Sequence, residues 1–133
     1  MFLNRIAEGG DAVRYMVPEK GGYTPVTYRQ VGDMVREICL GLMAAGLSRG
    51  DRVAILSGTR MEWCLVDIAA ILGGFIPVPI YPSNLPDQVE YILAHSRSSV
   101  IFVEDEPQYN KVAWCGGRLP GLASIVMMTG DPA

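Results

Sequence analysis

The sequence predicts an α/β fold: a doubly wound, mainly parallel sheet with helices on both of its faces. Short β-branched apolar segments, typical of strands covered on both faces, alternate along the chain with longer segments of helical periodicity. Glycine pairs and capping residues mark the boundaries between these segments, and the connections are short. Strands that alternate with helices in this way favour parallel pairing through right-handed crossovers.

The clearest part of the pattern is Gly50–Ser83, which predicts one strand–helix–strand crossover. Its first strand covers residues 53–56, where a run of apolar residues follows a polar pair. A helix from about Arg60 to Leu72 comes next, and we expect it to be largely buried because it is apolar nearly all round. Thr59 and Glu62 have the spacing of a capping box at the start of this helix.

The second half of the crossover begins where Gly73 and Gly74 end the helix, since glycine adopts the left-handed C-cap conformation at little cost. The segment Phe75–Ile80 then reads as the second strand. Pro77 and Pro79 cannot donate to a sheet ladder, so this strand should lie at an edge of the sheet or pair only in part.

Upstream of the crossover, the chain predicts two extended segments and a helix. Val13–Val17 and Tyr23–Thr27 are the extended segments. Thr27 and Gln30 form a second capping-box pair, and Val31–Leu42 has the apolar spacing of an amphipathic helix.

Downstream of the crossover, the alternation continues with a helix, a strand, a short helix and a strand: Leu85–Ser96, Ser99–Val103, a helix that ends at Gly116-Gly117, and Leu122–Met128. Asn84 or Ser83 is expected to cap the first of these helices, and Asp105 with Gln108 the second. Residues 129–132 read as a turn.

Composition and charge restrict the possible functions. The chain has 133 residues, 50% hydrophobic and 19% charged, which is the size of one domain and argues against disorder. A net charge of −3 gives no electrostatic reason to expect a nucleic-acid partner. The longest apolar stretch, Ile68–Tyr81, is interrupted by glycines and prolines and is too short for a transmembrane span. We therefore expect a soluble, cytoplasmic protein.

No catalytic or metal-binding set is evident among the reactive side chains. Cys39, Cys64 and Cys115 are widely spaced and are expected to be buried, reduced thiols. His95 falls near the end of its predicted helix, where a partly charged imidazole is favourable. The cluster Glu104–Glu106 could attract a cation, but a solvated turn with a helix cap is the better explanation.

Two segments, GDRVAILSGTRMEW and GGFIPVPIYPS, resemble the N-terminal region of the adenylate-forming acyl-CoA synthetases of the AMP-binding superfamily, most closely the long-chain fatty acid–CoA ligases. The resemblance extends over roughly Tyr23 to Glu104. It implies that residues 1–133 are an N-terminal subdomain of a longer ligase. The whole enzyme would convert a fatty acid to an acyl-CoA through an acyl-adenylate, using ATP, Mg²⁺ and coenzyme A. Its acyl substrate could bring it to a membrane surface.

The family's phosphate-binding loop, approximately Ser/Thr-Ser-Gly-Thr-Thr-Gly-x-Pro-Lys, does not occur in these 133 residues. Ser57-Gly58-Thr59 is a partial match, but Arg60 and Met61 follow where the loop would need threonine and glycine. The later family motifs and the C-terminal domain are also absent from this sequence. We therefore expect these residues to act as scaffold and to be inactive on their own.

One loop is a candidate site. In enzymes of the resembled family, the loop after the strand matched by Phe75–Ile80 lies near the approach of coenzyme A. The resemblance therefore implies that Tyr81, Pro82 and Ser83 contribute to coenzyme A binding, and ligands of open parallel sheets favour the carboxyl ends of strands. The alternative is that Pro82 and Ser83 only shape the turn into the next helix.

Two other interpretations remain open from the sequence, and a third is disfavoured. The chain could be a stand-alone module that binds coenzyme A or an acyl chain, or regulates without catalysis, and the ligase could act on another carboxylic acid. A flavodoxin-like nucleotide-binding protein is disfavoured because no glycine-rich phosphate loop follows a strand. We also expect a tendency to form homodimers through apolar surface on the helix Val31–Leu42 and the strand at Pro77–Pro79.

Overall fold

A computed structural model describes residues 2–19 and 21–129 and has the predicted α/β architecture. The elements follow one another in this order: α1 (Phe2–Gly9), β1 (Val13–Glu19), β2 (Gly22–Thr27), α2 (Tyr28–Ala44), β3 (Arg52–Leu56), α3 (Met61–Leu72), β4 (Ile76–Ile80), α4 (Pro86–Ser96), β5 (Val100–Val103), α5 (Glu106–Cys115) and β6 (Ser124–Met127). A single 3₁₀ turn, Gly116–Arg118, follows α5.

Four strands form a parallel sheet in the order β4–β3–β5–β6, while β1 and β2 form a separate antiparallel hairpin. The chain passes from β3 to its neighbour β4 through α3, and then crosses to the other side of β3 through α4 to reach β5. The direction of winding therefore reverses between β3 and β5. This confirms the doubly wound, mainly parallel sheet.

Different helices cover the two faces of the sheet. Val53 and Ile55 of β3 pack in a core cluster with residues of α2 and α3, whereas Ala54 and Leu56 pack in a second cluster with residues of α4 and α5. All four side chains are 0% exposed. A strand covered on both faces has to be apolar at every position, which explains its uninterrupted run.

The strand β4 forms one edge of the sheet, as its prolines predict, and pairs with β3 along its whole length. The Ile76 N–H donates to the Asp51 carbonyl oxygen across 2.9 Å. Successive N–H groups of a strand point to opposite sides, so Pro77 and Pro79 occupy the positions that face away from β3. The prolines therefore remove N–H groups that would have had no ladder partner.

The start of α3 differs from the prediction. The helix begins at Met61, and Arg60 stands at the N-cap without a side-chain capping bond. The Glu62 carboxylate accepts a hydrogen bond of 2.7 Å from Arg60 Nε instead of forming a capping box with Thr59. In the bond to Arg60 both partners are ionised, which favours it over a bond between the carboxylate and a neutral backbone amide.

The start of α4 also corrects the prediction, because neither Ser83 nor Asn84 caps it. Leu85 is the N-cap residue, and its N–H donates to Gln88 Oε1 across 2.8 Å. Asn84 is used in the preceding turn, where its N–H donates to the Tyr81 carbonyl oxygen across 3.0 Å.

Other helix boundaries are confirmed. The Thr27 side chain accepts from the Gln30 N–H (3.2 Å), and the Gln30 side chain accepts from the Thr27 N–H (2.9 Å), which is a complete capping box. The Asp105 carboxylate accepts from the Gln108 N–H across 3.3 Å at the start of α5. Gly74 follows α3 with a φ of +80°, as expected for a glycine that ends a helix.

The N-terminal part of the chain holds one helix that the sequence did not predict. α1 packs on α2, where Ile6 lies so close to Gly32 that a Cβ added to this glycine would be 2.7 Å from Ile6 Cδ1. The two extended segments are confirmed as the strands of the hairpin, and β1 continues to Glu19. The predicted turn at residues 129–132 lies outside the described residues after Thr129.

We expected the apolar face of α2 to provide exposed surface, but this face is buried. Val31, Val35 and Leu42 are at most 4% exposed because α3 and the sheet cover them. The exposed apolar side chains of α2 are instead Leu40 and Met43, at its C-terminal end. The helix therefore offers a smaller apolar surface than its periodicity suggests.

Within the described residues, none of the helices is sufficiently long and apolar to cross a membrane. Cys115 is buried, and burial is the main cause that raises the pKa of its thiol. Cys39 and Cys64 are half-buried, so the expectation of burial holds fully for one of the three cysteines.

Candidate functional site

The carboxyl ends of the parallel strands meet at one edge of the sheet. The segments that leave β3, β4 and β5 there are residues 57–60, 81–85 and 104–105. The winding direction reverses between β3 and β5, and open α/β sheets bind ligands outside the carboxyl ends of strands at such a reversal. This edge is therefore the candidate functional site.

The turn after β3 is held by its own polar groups. The Ser57 hydroxyl is buried and donates to the Gly58 carbonyl oxygen across 2.8 Å. Arg60 forms the bond with Glu62, and its Nη1 lies 3.8 Å from Glu104 Oε1. The hydrogen bond that Arg60 donates to Glu62 is the main cause that raises the pKa of the Arg60 guanidinium.

The charges of this turn do not fit the phosphates of ATP. Arg60 is its one cation, and carboxylates of Glu62 and Glu104 already compensate it. Asp105 adds a further negative charge beside it. A phosphate site needs free amides and uncompensated cations, so the match of Ser57–Thr59 to the family loop carries no phosphate-binding role.

The carboxylates of this edge do not form a Mg²⁺ site either. Across residues 2–19 and 21–129, no group of three or more His, Cys, Asp or Glu side chains is arranged to hold a metal ion. Glu62 and Glu104 instead accept the bonds from Arg60.

A cleft of about 460 Å³ lies between the hairpin and the start of α3. Met16 and Val17 of β1 line one side of it, and Met61 and Arg60 line the other. At its wall, burial and then the neighbouring Cys64 thiol raise the pKa of Tyr15 above its ordinary value. The cleft thus has an apolar side formed by the hairpin and a charged side that includes Arg60, Glu62 and Glu104.

The predicted loop Tyr81–Ser83 lies at the carboxyl end of the edge strand β4. Tyr81 is 77% exposed and Ser83 is exposed, while Pro82 is half-buried. The bond from the Asn84 N–H to the Tyr81 carbonyl closes a four-residue turn with proline in its second position, which proline favours. The loop therefore presents two polar side chains to solvent from a fixed turn.

The helix α5 contacts this loop through two side chains that sequence reasoning did not assign to it. Lys111 Nζ donates to the Pro82 carbonyl oxygen across 2.5 Å, and Gln108 Nε2 donates to the same oxygen across 3.4 Å. These residues follow Pro82 by 29 and 26 positions. The cap pair Asp105–Gln108 located α5 in the sequence, but nothing in the sequence placed it against the loop.

His95 and the two tryptophans have contacts of their own elsewhere in the fold. His95 stacks on Tyr91 of the same helix, with 5.7 Å between ring centroids. The Arg118 guanidinium lies 4.5 Å from the ring centroid of Trp114, which is 55% exposed, and Trp63 packs against the core. These three side chains have structural contacts that account for them.

This fold, with its loops at the carboxyl edge, matches the N-terminal domain of the acyl-CoA synthetases. The chain belongs to the AMP-binding enzyme family, which it matches over residues 4–132.

Curated relatives are named as long-chain-fatty-acid–CoA ligases. FadD15 of Mycobacterium bovis is 35% identical over 131 residues, which are 98% of this chain and 22% of that protein. ACSBG1 of Bos taurus is 28% identical over 132 residues, or 99% of this chain and 18% of that protein. The chain thus spans about a fifth of the length of the curated relatives it matches.

Solved structures share the fold closely. A protein assigned as a long-chain-fatty-acid CoA ligase from Rhodopseudomonas palustris is 25% identical with a TM-score of 0.87, covering 99% of this chain and 32% of that one. The anthranilate CoA ligase AuaEII, solved with anthranoyl-AMP, is 25% identical with a TM-score of 0.86, covering 96% of this chain and 24% of that one.

Proposed function

We propose that residues 1–133 form the N-terminal subdomain of an ATP-dependent long-chain fatty acid–CoA ligase. The observation that carries this proposal is the 35% identity to a long-chain-fatty-acid–CoA ligase over 98% of the chain. The whole enzyme would join a fatty acid and ATP into an acyl-adenylate with release of pyrophosphate. The thiol of coenzyme A would then attack the acyl carbonyl carbon, and AMP would leave.

In this ligase, the residues described here would serve as scaffold and as one wall of the substrate approach. The sequence contains no phosphate-binding loop, and the turn after β3 has its only cation compensated. ATP and Mg²⁺ would therefore be held by segments that are not among these 133 residues. The remainder of the ligase chain would be the main partner of this subdomain.

Tyr81, Pro82 and Ser83 would line the approach of coenzyme A. The exposure of Tyr81 and Ser83 at the carboxyl edge of the sheet supports this role. In the whole ligase, Tyr81→Ala should raise the KM for coenzyme A and leave ATP–pyrophosphate exchange with the fatty acid unchanged. An unchanged KM for coenzyme A in this variant would show that the loop does not contribute to coenzyme A binding.

The first experiment is to measure the native size of the protein in its own cells with an antibody raised against this chain. A band several times larger than 14.5 kDa is expected, and the purified protein should form acyl-CoA and AMP from a long-chain fatty acid. A band at 14.5 kDa would contradict the proposal and favour a stand-alone module that binds coenzyme A or an acyl chain without catalysis.

A second experiment tests the scaffold role directly. The isolated 133-residue chain should catalyse no ATP–pyrophosphate exchange with a fatty acid, because it has no loop to hold the phosphates. Exchange above the background of a heat-denatured sample would show that this chain adenylates on its own.

A ligase for another carboxylic acid is the second candidate function. The close structural likeness to an anthranilate CoA ligase supports it, because that enzyme has the same fold in this region and was solved with the adenylate of an aromatic acid. A panel of purified-enzyme assays with aliphatic and aromatic acids separates the two. A kcat/KM highest for an aromatic acid would favour the second candidate.

We also propose a cytoplasmic location, with attachment to membranes only through the acyl substrate, and weak homodimerisation. The exposed Leu40, Met43, Ile71 and Ile76 supply apolar surface for self-association. Cell fractionation and sedimentation of the purified protein test the two statements. Recovery in the membrane fraction after a salt wash, or a monomer at all concentrations, would overturn the corresponding one.

A further inference from the structure

The Pro82 carbonyl oxygen is the point at which the loop after β4 is tied to a different part of the chain. The turn that contains it is closed by one internal bond, between Asn84 and Tyr81. The Pro82 carbonyl belongs to the second residue of the turn and takes no part in that bond. Without a further partner, the turn could rotate about its two ends.

Two donors from successive turns of α5 converge on this oxygen. Lys111 Nζ and Gln108 Nε2 lie 2.5 Å and 3.4 Å from it. A carbonyl oxygen has two lone pairs, so the two donors together satisfy it. The Lys111 bond is charge-assisted and is the stronger of the two.

The helix α5, which carries these donors, is itself fixed in the fold. Its first turn is fixed by the bond from the Gln108 N–H to Asp105, directly after β5. Gln108 is 9% exposed, and Val112 of the same helix packs in the core beneath the sheet. The loop is thus anchored to a helix that is itself anchored to the central strands.

We infer that Lys111 and Gln108 are positioning residues, which hold the loop Tyr81–Ser83 in the conformation that receives coenzyme A. This inference rests on the proposed function and adds to it the residues that set the geometry of the loop. Neither residue is assigned any contact with substrate. Their effect should therefore appear in the thioester-forming step and be absent from adenylation, which does not involve coenzyme A.

The test uses the whole ligase with Lys111→Met, which removes the ammonium and keeps most of the aliphatic chain. The KM for coenzyme A should rise about tenfold or more, as expected for the loss of a charge-assisted hydrogen bond. ATP–pyrophosphate exchange with the fatty acid should keep its wild-type rate. Lys111→Arg should restore the KM for coenzyme A, because it supplies donors at a similar reach.

The matched control is Arg36→Met, which removes one positive charge from the exposed face of α2. It should leave both the KM for coenzyme A and the exchange rate unchanged. Gln108→Leu tests the second donor, with a smaller rise in the KM for coenzyme A expected from the longer bond. The thermal midpoint of every variant shows whether the fold is retained.

The outcomes distinguish the inference from the function on which it rests. A wild-type ligase that forms no acyl-CoA overturns the proposed function. An active wild type in which Lys111→Met has a normal KM for coenzyme A overturns the positioning role. Equal losses in exchange and thioester formation, with a lowered thermal midpoint, also overturn it, because they indicate a purely structural role.

Discussion

The Arg52 guanidinium donates from Nε to the Ser96 carbonyl oxygen across 2.7 Å, which joins the start of β3 to the last turn of α4. The same side chain donates to the carbonyl oxygens of Arg97 and Gly50. The last carbonyls of a helix lack partners within the helix, so one side chain here satisfies groups at the C-terminus of α4. Arg97 has a φ of +54°, and the bond to its carbonyl helps to hold this left-handed conformation.

The first prediction concerns this junction. Arg52→Met should lower the free energy of unfolding by about 2–3 kcal/mol, because it leaves part-buried carbonyl groups without donors. Urea unfolding of the purified protein measures the change. Arg36→Met, which removes an exposed charge, should change stability by no more than about 0.5 kcal/mol. Equal effects of the two substitutions would show that the junction contributes no specific stability.

The second prediction compares two glycines in helical contexts. Gly74→Ala should destabilise the protein by about 1–2 kcal/mol, because its φ of +80° is unfavourable for a residue with a Cβ. The added Cβ would also lie 3.0 Å from Arg49 Cγ.

Gly41→Ala is the matched substitution, and it should stabilise by about 0.5–1 kcal/mol. Gly41 lies within α2, and an added Cβ would meet no heavy atom within 4 Å among the described residues outside its own stretch of helix. Thermal unfolding of both variants gives the two signs. A stabilising effect of Gly74→Ala would contradict the assigned role of this residue in ending α3.

The third prediction concerns the exposed edge of the sheet. Replacing Pro77 and Pro79 together by threonine adds two N–H groups to the outer side of β4, where a strand from a second copy can pair. The double variant should self-associate more strongly than the wild type in sedimentation velocity over a dilution series. Pro120→Thr, in an exposed loop, should not change the association. An unaltered distribution in the double variant would mean that the prolines do not protect this edge.

The fourth prediction is a pair of opposite pH effects within α3. Burial raises the pKa of Glu62, but the hydrogen bond from Arg60 and a backbone amide outweigh it, so this pKa lies below its ordinary value. Its ionised form thus stabilises the fold above the ordinary pKa of about 4.3, and this contribution is lost as the pH falls. Glu62→Gln should therefore destabilise at pH 7 and have little effect in acid.

The pKa of Asp67 is shifted in the opposite direction to that of Glu62. Burial raises its pKa, so its ionised form disfavours the folded state once the pH exceeds the unfolded value of about 3.9. Asp67→Asn should stabilise the protein at pH 7, and the gain should vanish at low pH, where the carboxyl group is protonated in both states. Unfolding curves over the acid range test both substitutions. Parallel pH profiles for the two variants would contradict the assignment.

Most of the sheet could be predicted because its signals are local. The run at residues 53–56, the prolines of β4 and the cap pair Thr27–Gln30 each depend on neighbours a few positions away. The helix α1 was missed because it packs on α2, where Ile6 lies against Gly32, a residue far from it in the sequence. The caps of α3 and α4 were wrong because several polar residues competed, and one of them, Arg60, also reaches Glu104 of another strand end.

In the candidate site, too, some features could be predicted from the sequence and others could not. The family resemblance singled out the loop Tyr81–Ser83 after the edge strand, and its role in binding coenzyme A stays a prediction. It gave no indication that Lys111 and Gln108 hold this loop, because the contacts join residues 26 and 29 positions apart. Contacts of that kind exist only after the chain has crossed the sheet twice.

By itself, the sequence determined the alternation of strands and helices, the sheet edge at β4 and the likeness to the AMP-binding enzymes. Periodicity, proline and glycine act through short-range sterics and hydrogen bonding, and these effects depend on residues that are close together in the sequence. Only the tertiary structure decided the compensation of Arg60 by two carboxylates and the anchoring of Pro82 by α5. These depend on which side chains the sheet brings within a few ångströms of one another, and the energy of a hydrogen bond or an ion pair is set by that distance.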